Sequence, residues 1–146
     1  MLKNKIKKVL GTTLLAGAIV AVGSGAITHA DTKDTHWNFA FDAGWDGNGK
    51  HSDYTGYRTK YNDSSVYKKI QWTNNGGESY SAWIEMGHNG EIVSKAKRYT
   101  SDAYGVYKIP NNAYELYRQR DVTIRATLGG NFTSCRVEGV WSPDSR

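Results

Sequence analysis

Apolar and polar residues alternate along most of this chain, cut about every 8–12 residues by Gly, Asn, Asp or Pro. Side chains of a strand point alternately to its two faces, so a period of two buries one face and wets the other. His36-Trp37-Asn38-Phe39-Ala40-Phe41 puts Trp37, Phe39 and Phe41 on one side. Val66, Ile70 and Trp72 are in phase, as are Tyr80, Ala82, Ile84 and Met86, and Val122, Ile124, Ala126 and Leu128. Tyr57 to Tyr61, Ile92 to Tyr99 and Phe132 to Trp141 read as further strands. Asn89-Gly90 predicts a β-hairpin over 79–99, because both residues tolerate the positive φ of a type I′ turn. Asn74-Asn75-Gly76-Gly77 and Gly129-Gly130-Asn131 supply other reversals. Ala113 to Gln119, after Pro110-Asn111-Asn112, suits either a short helix or an edge strand. Seven or eight short strands without a helical period predict an all-β domain, a small antiparallel β-sandwich with a small barrel as the alternative.

Residues 1–30 follow a different plan. Lys3, Lys5, Lys7 and Lys8 precede an apolar stretch from Val9 to Val22, and Thr28-His29-Ala30 is an A-x-A-like cleavage site. The apolar stretch falls short of the roughly 20 residues that span a bilayer. A cleaved signal-peptide helix is expected, hence a secreted or cell-wall-associated protein with no stable membrane insertion after cleavage. One compact domain, 31–146, then remains: an N-terminal strand and Gly/Asp-rich loop over 31–53 and a β domain over 54–146.

Cleavage changes the charge balance. The chain holds 19 Lys+Arg and 14 Asp+Glu, but four of the lysines precede residue 31, leaving 15 against 14 and a net charge of +1. The basic excess therefore belongs to the leader, and no nucleic-acid partner is expected. All 5 Trp, 10 Tyr and 3 Phe lie beyond residue 30, so Trp and Tyr must fill much of the core. Cys135 is the sole cysteine, which excludes an internal disulfide. Its place in an alternating strand predicts a buried, unpaired thiol.

Motifs for chemistry are sparse. Asp42 to Asp53 is rich in Asp, Asn and Gly, but from Asp46 the expected calcium-loop spacing fails at Lys50, His51 and Tyr57. An ordinary loop is expected there. His36, His51 and His88 lack zinc-ligand spacing, so no metal and no cofactor is expected. There is no Gly-x-Ser-x-Gly, and Glu78, Glu85, Glu91, Glu115 and Glu138 are scattered, reading as solvated faces or strand-edge charges with Lys95, Lys97 and Arg98. A non-enzymatic protein is expected. Trp37, Trp72, Trp83 and Trp141 are assigned to the core. Tyr99, Tyr104, Tyr107, Tyr114 and Tyr117 exceed what so small a core can hide, and Tyr104, Tyr107, Tyr114 and Tyr117 are the candidate binding residues.

Gly139-Val-Trp141-Ser142-Pro143-Asp144-Ser145, with Arg58-Thr59, Trp83 after a Gly-Gly turn, and Tyr99 to Tyr107, resembles a family of secreted proteins of unknown function. The resemblance covers roughly residues 54–145 and implies an exported, all-β protein of a Gram-positive bacterium. It transfers no catalytic residue. A binding or effector role at the cell surface or in the medium is expected, toward a cell-wall or cell-surface component or another protein. A bacteriocin-like antagonist and a secreted hydrolase with a site assembled only in the fold are the alternatives.

Overall fold

The structure is a computed structural model that describes residues 30–42, 44, 49–129 and 133–145. The expected signal segment, save Ala30, and the centre of the Gly/Asp-rich loop with Asp46 and Asn48 lie outside the described residues. Nine strands are described: β1 Thr35–Phe41, β2 Ser52–Tyr54, β3 Arg58–Lys60, β4 Val66–Thr73, β5 Ser79–Met86, β6 Lys97–Thr100, β7 Gly105–Ile109, β8 Arg120–Gly129 and β9 Cys135–Ser142. They form two antiparallel sheets, ordered β1-β9-β4-β7 and β2-β8-β5-β6, with β3 also paired to β8. The sheets do not close into a barrel, and the sandwich expectation holds.

Alternation decides what each sheet buries. Trp37, Phe39 and Phe41 of β1 meet Tyr80, Ala82, Ile84 and Met86 of β5 and Val122, Ile124, Ala126 and Leu128 of β8 across the core. Cys135, Val137 and Trp141 of β9 complete it, and Cys135 is buried and unpaired as expected. Burial pushes the Cys135 thiol up from its ordinary range, which makes it a poor nucleophile. Ala113 to Gln119 resolves in favour of a helix, α1 Ala113–Tyr117, one turn long and closed by Arg118 at φ 58°.

Three local expectations need correction. Trp72 is 46% exposed, because a β-bulge between Ile70 and Trp72 shifts the register and turns Trp72 outward beside Glu138. Trp83 is only half-buried, since it lies on the outer face of β5, out of phase with Ala82 and Ile84. The 79–99 hairpin forms with a shorter second strand than Ile92 to Tyr99, since Ile92 makes an isolated bridge to Glu85 and β6 begins at Lys97. In its turn only Gly90 has positive φ (70°), with a Gly90 N–H to Met86 carbonyl bond of 2.9 Å. That wider turn replaces the two-residue type I′ turn.

Period two also carries two lysines inward. Lys68, between Val66 and Ile70, is fully buried and donates to the Tyr80 hydroxyl at 2.6 Å. Its Nζ sits 3.7 Å from the Tyr99 ring centroid, 4.5 Å from Tyr80 and 5.3 Å from Trp37. The aromatic faces offset part of the desolvation cost, about 0.5–2 kcal/mol per contact. Burial, reinforced by the charge of Lys97, still holds Lys68 well below the ordinary lysine range.

Lys68→Met is therefore expected to stabilise the domain near neutral pH, by about 1–4 kcal/mol. A lysine depressed in the folded state binds its proton more weakly there than in the unfolded chain. Its contribution therefore rises with pH up to the unfolded value of about 10.4 and falls as pH drops through the folded one. The advantage of Lys68→Met should shrink on going from pH 7 toward pH 10 in thermal melts. A constant gap would show that Lys68 does not carry the effect.

Candidate functional site

The outer face of the β2-β8-β5-β6 sheet assembles an aromatic surface. Tyr54 of β2 stands in register with Arg125 of β8, and Arg125 with Trp83 of β5, so three strands present one outward row. The Arg125 guanidinium lies 5.6 Å from the Tyr54 ring centroid. Tyr57 stacks on Tyr54, with centroids 5.8 Å apart and planes at 30°. Both rings are about half exposed, at 48% for Tyr54 and 54% for Tyr57. Trp83 is oriented by its indole N–H, which donates to Glu85 Oε1 at 2.8 Å.

Buried threonines hold this pair in place. Between Tyr54 and Tyr57 the chain turns at Thr55, which is buried. Its N–H donates to the Ile124 carbonyl, and its hydroxyl oxygen accepts from the Ile124 N–H, both at 3.0 Å. Thr123 returns a hydroxyl bond to the Thr55 carbonyl at 2.8 Å. Thr55 lies between the two tyrosines in sequence, so its bonds to β8 fix the platform before any ligand arrives. A Cβ at Gly87 would stand 3.0 Å from Tyr57 Cδ1, so a side chain there would crowd the ring.

A polar cleft of about 300 Å³ opens beside Tyr57, lined by Thr59, Gly87, His88, Gln119, Arg120 and Asp121. Asp121 accepts the Thr59 hydroxyl at 2.7 Å. A flat aromatic pair beside mixed donors and acceptors matches a sugar ring, which offers an apolar face and a hydroxyl rim. Asp121 is the one carboxylate among the described residues lining this cleft. Glycoside hydrolysis in its usual form uses two carboxyl groups about 5–9.5 Å apart.

The four tyrosines singled out from sequence are dispersed. Tyr104 is 58% exposed in the β6–β7 turn. Tyr107 faces inward, edge-on to Tyr99 at 5.0 Å, with its hydroxyl donating to the Ala103 carbonyl at 2.7 Å. Tyr114 lies on α1 with the Arg118 guanidinium 5.7 Å from its ring. Tyr117 donates its hydroxyl to Glu91 Oε2 and packs edge-on against His88. Among the described residues, no ring contact joins any of these four to another. The sequence does not single out Tyr54 and Tyr57; their Tyr-x-x-Tyr spacing is shared with Tyr104/Tyr107 and Tyr114/Tyr117 and does not separate them.

The other polar groups build structure. His36 faces Glu138 at 3.5 Å, and Asp53 accepts the Ala40 N–H at 2.8 Å while pairing with Lys50 at 2.8 Å. Among the described residues, no three His, Cys, Asp or Glu side chains are grouped to hold a metal ion. A larger open groove, about 890 Å³, runs between β6 and β7 past Ile92, Lys95, Lys97, Ile109 and Pro110. It lacks a stacked aromatic pair.

A family described as a protein of unknown function (DUF2712) matches residues 23–145. The match begins 31 residues earlier than the sequence resemblance and takes in β1, which supplies Trp37 and Phe39. No curated protein and no solved structure matches the chain.

Proposed function

We propose that this chain, which belongs to the DUF2712 family, is an exported, non-enzymatic binding protein that recognises a cell-wall or cell-surface glycan through Tyr54 and Tyr57. The observation that carries this reading is the pair of exposed, stacked tyrosines, held in place by Thr55 and Thr123 beside β8. Rigid aromatic area costs little entropy to dock, and sugar C–H faces cover it without a deep pocket. Arg125 and the polar cleft beside Tyr57 supply hydroxyl partners that orient the ring. Export is supported by the lysine-rich start, the apolar stretch and Thr28-His29-Ala30.

The test uses the secreted product, intact Gram-positive cells and isolated peptidoglycan, with retention, killing and release of soluble fragments scored together. Retention without killing or release is the expected result. Tyr54→Ala/Tyr57→Ala, checked for folding by circular dichroism, should weaken retention at least tenfold, since each stacking contact is worth about 0.5–1.5 kcal/mol beyond area burial. Tyr104→Ala should leave it unchanged. Equal retention by the double variant would remove Tyr54 and Tyr57 from the role. Killing would favour the bacteriocin-like reading, and catalytic release of fragments the hydrolase.

A further inference from the structure

Asp144 is a fully buried carboxylate near the end of the chain, and one of its partners is the backbone nitrogen of Asp31. Asp31 N–H donates to Asp144 Oδ2 at 2.8 Å, and the Asp144 N–H returns a bond to the Asp31 carbonyl at 3.4 Å. The Asp31 carboxylate is gripped by Arg58, through Nη2 on Oδ1 and Nε on Oδ2, the latter at 3.2 Å. Arg58 in turn donates to the carbonyls of Lys33 at 2.6 Å and Trp141 at 3.1 Å, and its guanidinium lies 5.6 Å from the Trp141 ring centroid. Residue 31 is thus docked through its amide, its carbonyl and its side chain. Ala30, its immediate predecessor, is exposed.

We propose that the Ala30–Asp31 bond is a processing site and that the α-ammonium freed there is a structural ion, locked on Asp144 and tying the start of the processed chain to its closing Trp-Ser-Pro-Asp segment. Hydrolysis by a peptidase of the export route consumes one water. The Ala30 carbonyl carbon gains its oxygen and departs as a carboxylate, and the Asp31 nitrogen takes up protons to become an ammonium. A neutral N–H···O⁻ bond at Asp144 becomes an ammonium–carboxylate bond, which is roughly twice as strong. The free α-amino group titrates near 7.7–8.0, so it is mostly charged at neutral pH even before pairing. Lys60 opposes the added charge from the other carboxylate oxygen, Oδ1, at 3.2 Å, as does Arg58 beside it. Four carboxylates, Asp31, Asp63, Glu115 and Asp144, act on this cluster against those two cations, and the excess negative charge accommodates a third. The device goes beyond glycan binding and stands or falls separately from it.

The test starts from the full chain expressed with its own leader in a secreting host. Intact mass should give a product beginning at Asp31. That product should melt higher than the same chain carrying one extra alanine before Asp31, by about 4 °C or more for a domain of this size. Its α-amine should react with an amine-directed reagent near neutral pH at least tenfold more slowly than that of a short peptide with the same first residues. Asp144→Asn should abolish the melting difference. If that variant does not fold, the melting comparison and labelling rate on the unsubstituted chain decide the matter. A secreted product beginning elsewhere, equal melting temperatures, or peptide-like labelling would each overturn the proposal.

Discussion

Gly139→Ala is expected to cost more than about 4 kcal/mol, enough to leave little soluble folded protein, since domains of this kind are stable by only about 5–15 kcal/mol. Gly139 is central in β9, opposite Trp37 of β1 and Ile70 of β4. The Lys69 carbonyl of β4 lies against it. An added Cβ would overlap the Lys69 carbonyl oxygen and stand 2.9 Å from its carbon and 3.0 Å from Trp37 Cζ2. Backbone atoms of a central strand cannot rotate away as a side chain does, so β4 would have to slip and take Val66, Lys68 and Ile70 out of the core. Gly129→Ala is the control: its nearest neighbours would be Ser79 atoms at 3.5 and 3.6 Å, ordinary contacts, and its cost should stay below about 1 kcal/mol. Soluble yield, circular dichroism and urea midpoints measure both. A Gly139→Ala protein that unfolds at the same urea concentration as the parent would rule out this close approach of β4 to β9.

Lys60→Met should have the next largest effect, a loss of about 3–5 kcal/mol. Lys60 and Asp144 are both wholly buried and lie 3.2 Å apart. Lys60 also donates to the Ser64 carbonyl, and to the Pro143 carbonyl at 2.8 Å. Burial pushes Lys60 below the ordinary lysine range against the pull of Asp144, so the ion pair is partly offset by its own desolvation. In the chain that still carries Ala30, removing the ammonium leaves two carbonyls without this donor and leaves the carboxylate, among the described residues, with the amides of Asp31, Tyr61 and Asn62. An unpaired buried charge costs more than the intact pair contributes. Lys50→Met, which breaks the more exposed Lys50–Asp53 pair, should cost no more than about 1 kcal/mol. Urea denaturation at neutral pH separates the two outcomes, and similar small losses for both would mean that Lys60 reaches solvent.

These residues give the closing Gly-x-Trp-Ser-Pro-Asp-Ser stretch a physical meaning. Gly139 admits the Lys69 carbonyl, Trp141 fills the core, and the Pro143 carbonyl and the Asp144 carboxylate receive Lys60. The Ser142 hydroxyl donates to the Asp144 carbonyl at 2.8 Å, and the Ser145 N–H donates to the Ser64 hydroxyl oxygen at 3.0 Å. The motif that makes the chain recognisable is a clasp for the sandwich.

By itself the sequence determined the all-β class, the strands over 35–41, 66–73, 79–86, 122–128 and 135–141, and the buried thiol of Cys135. Period two is a local property: each residue's face follows from its neighbour's, and a turn needs only two to four residues of the right kind. The same phase already put Lys68 between Val66 and Ile70, although a charged residue there reads as an exception until five aromatic rings are seen to surround it. Only the tertiary structure decided that Trp72 faces solvent, because one bulged residue inverts the alternation without a signature in composition. It also decided which tyrosines meet. Tyr-x-x-Tyr occurs three times, but only at Tyr54 and Tyr57 do buried threonine bonds to β8 bring the two rings together on an open face. The clasp is non-local in the same way: Asp31 and Asp144 lie 113 residues apart and flank the paired strands β1 and β9, and Arg58 and Lys60 reach them from β3 at the edge of the other sheet, which no periodicity along the chain encodes.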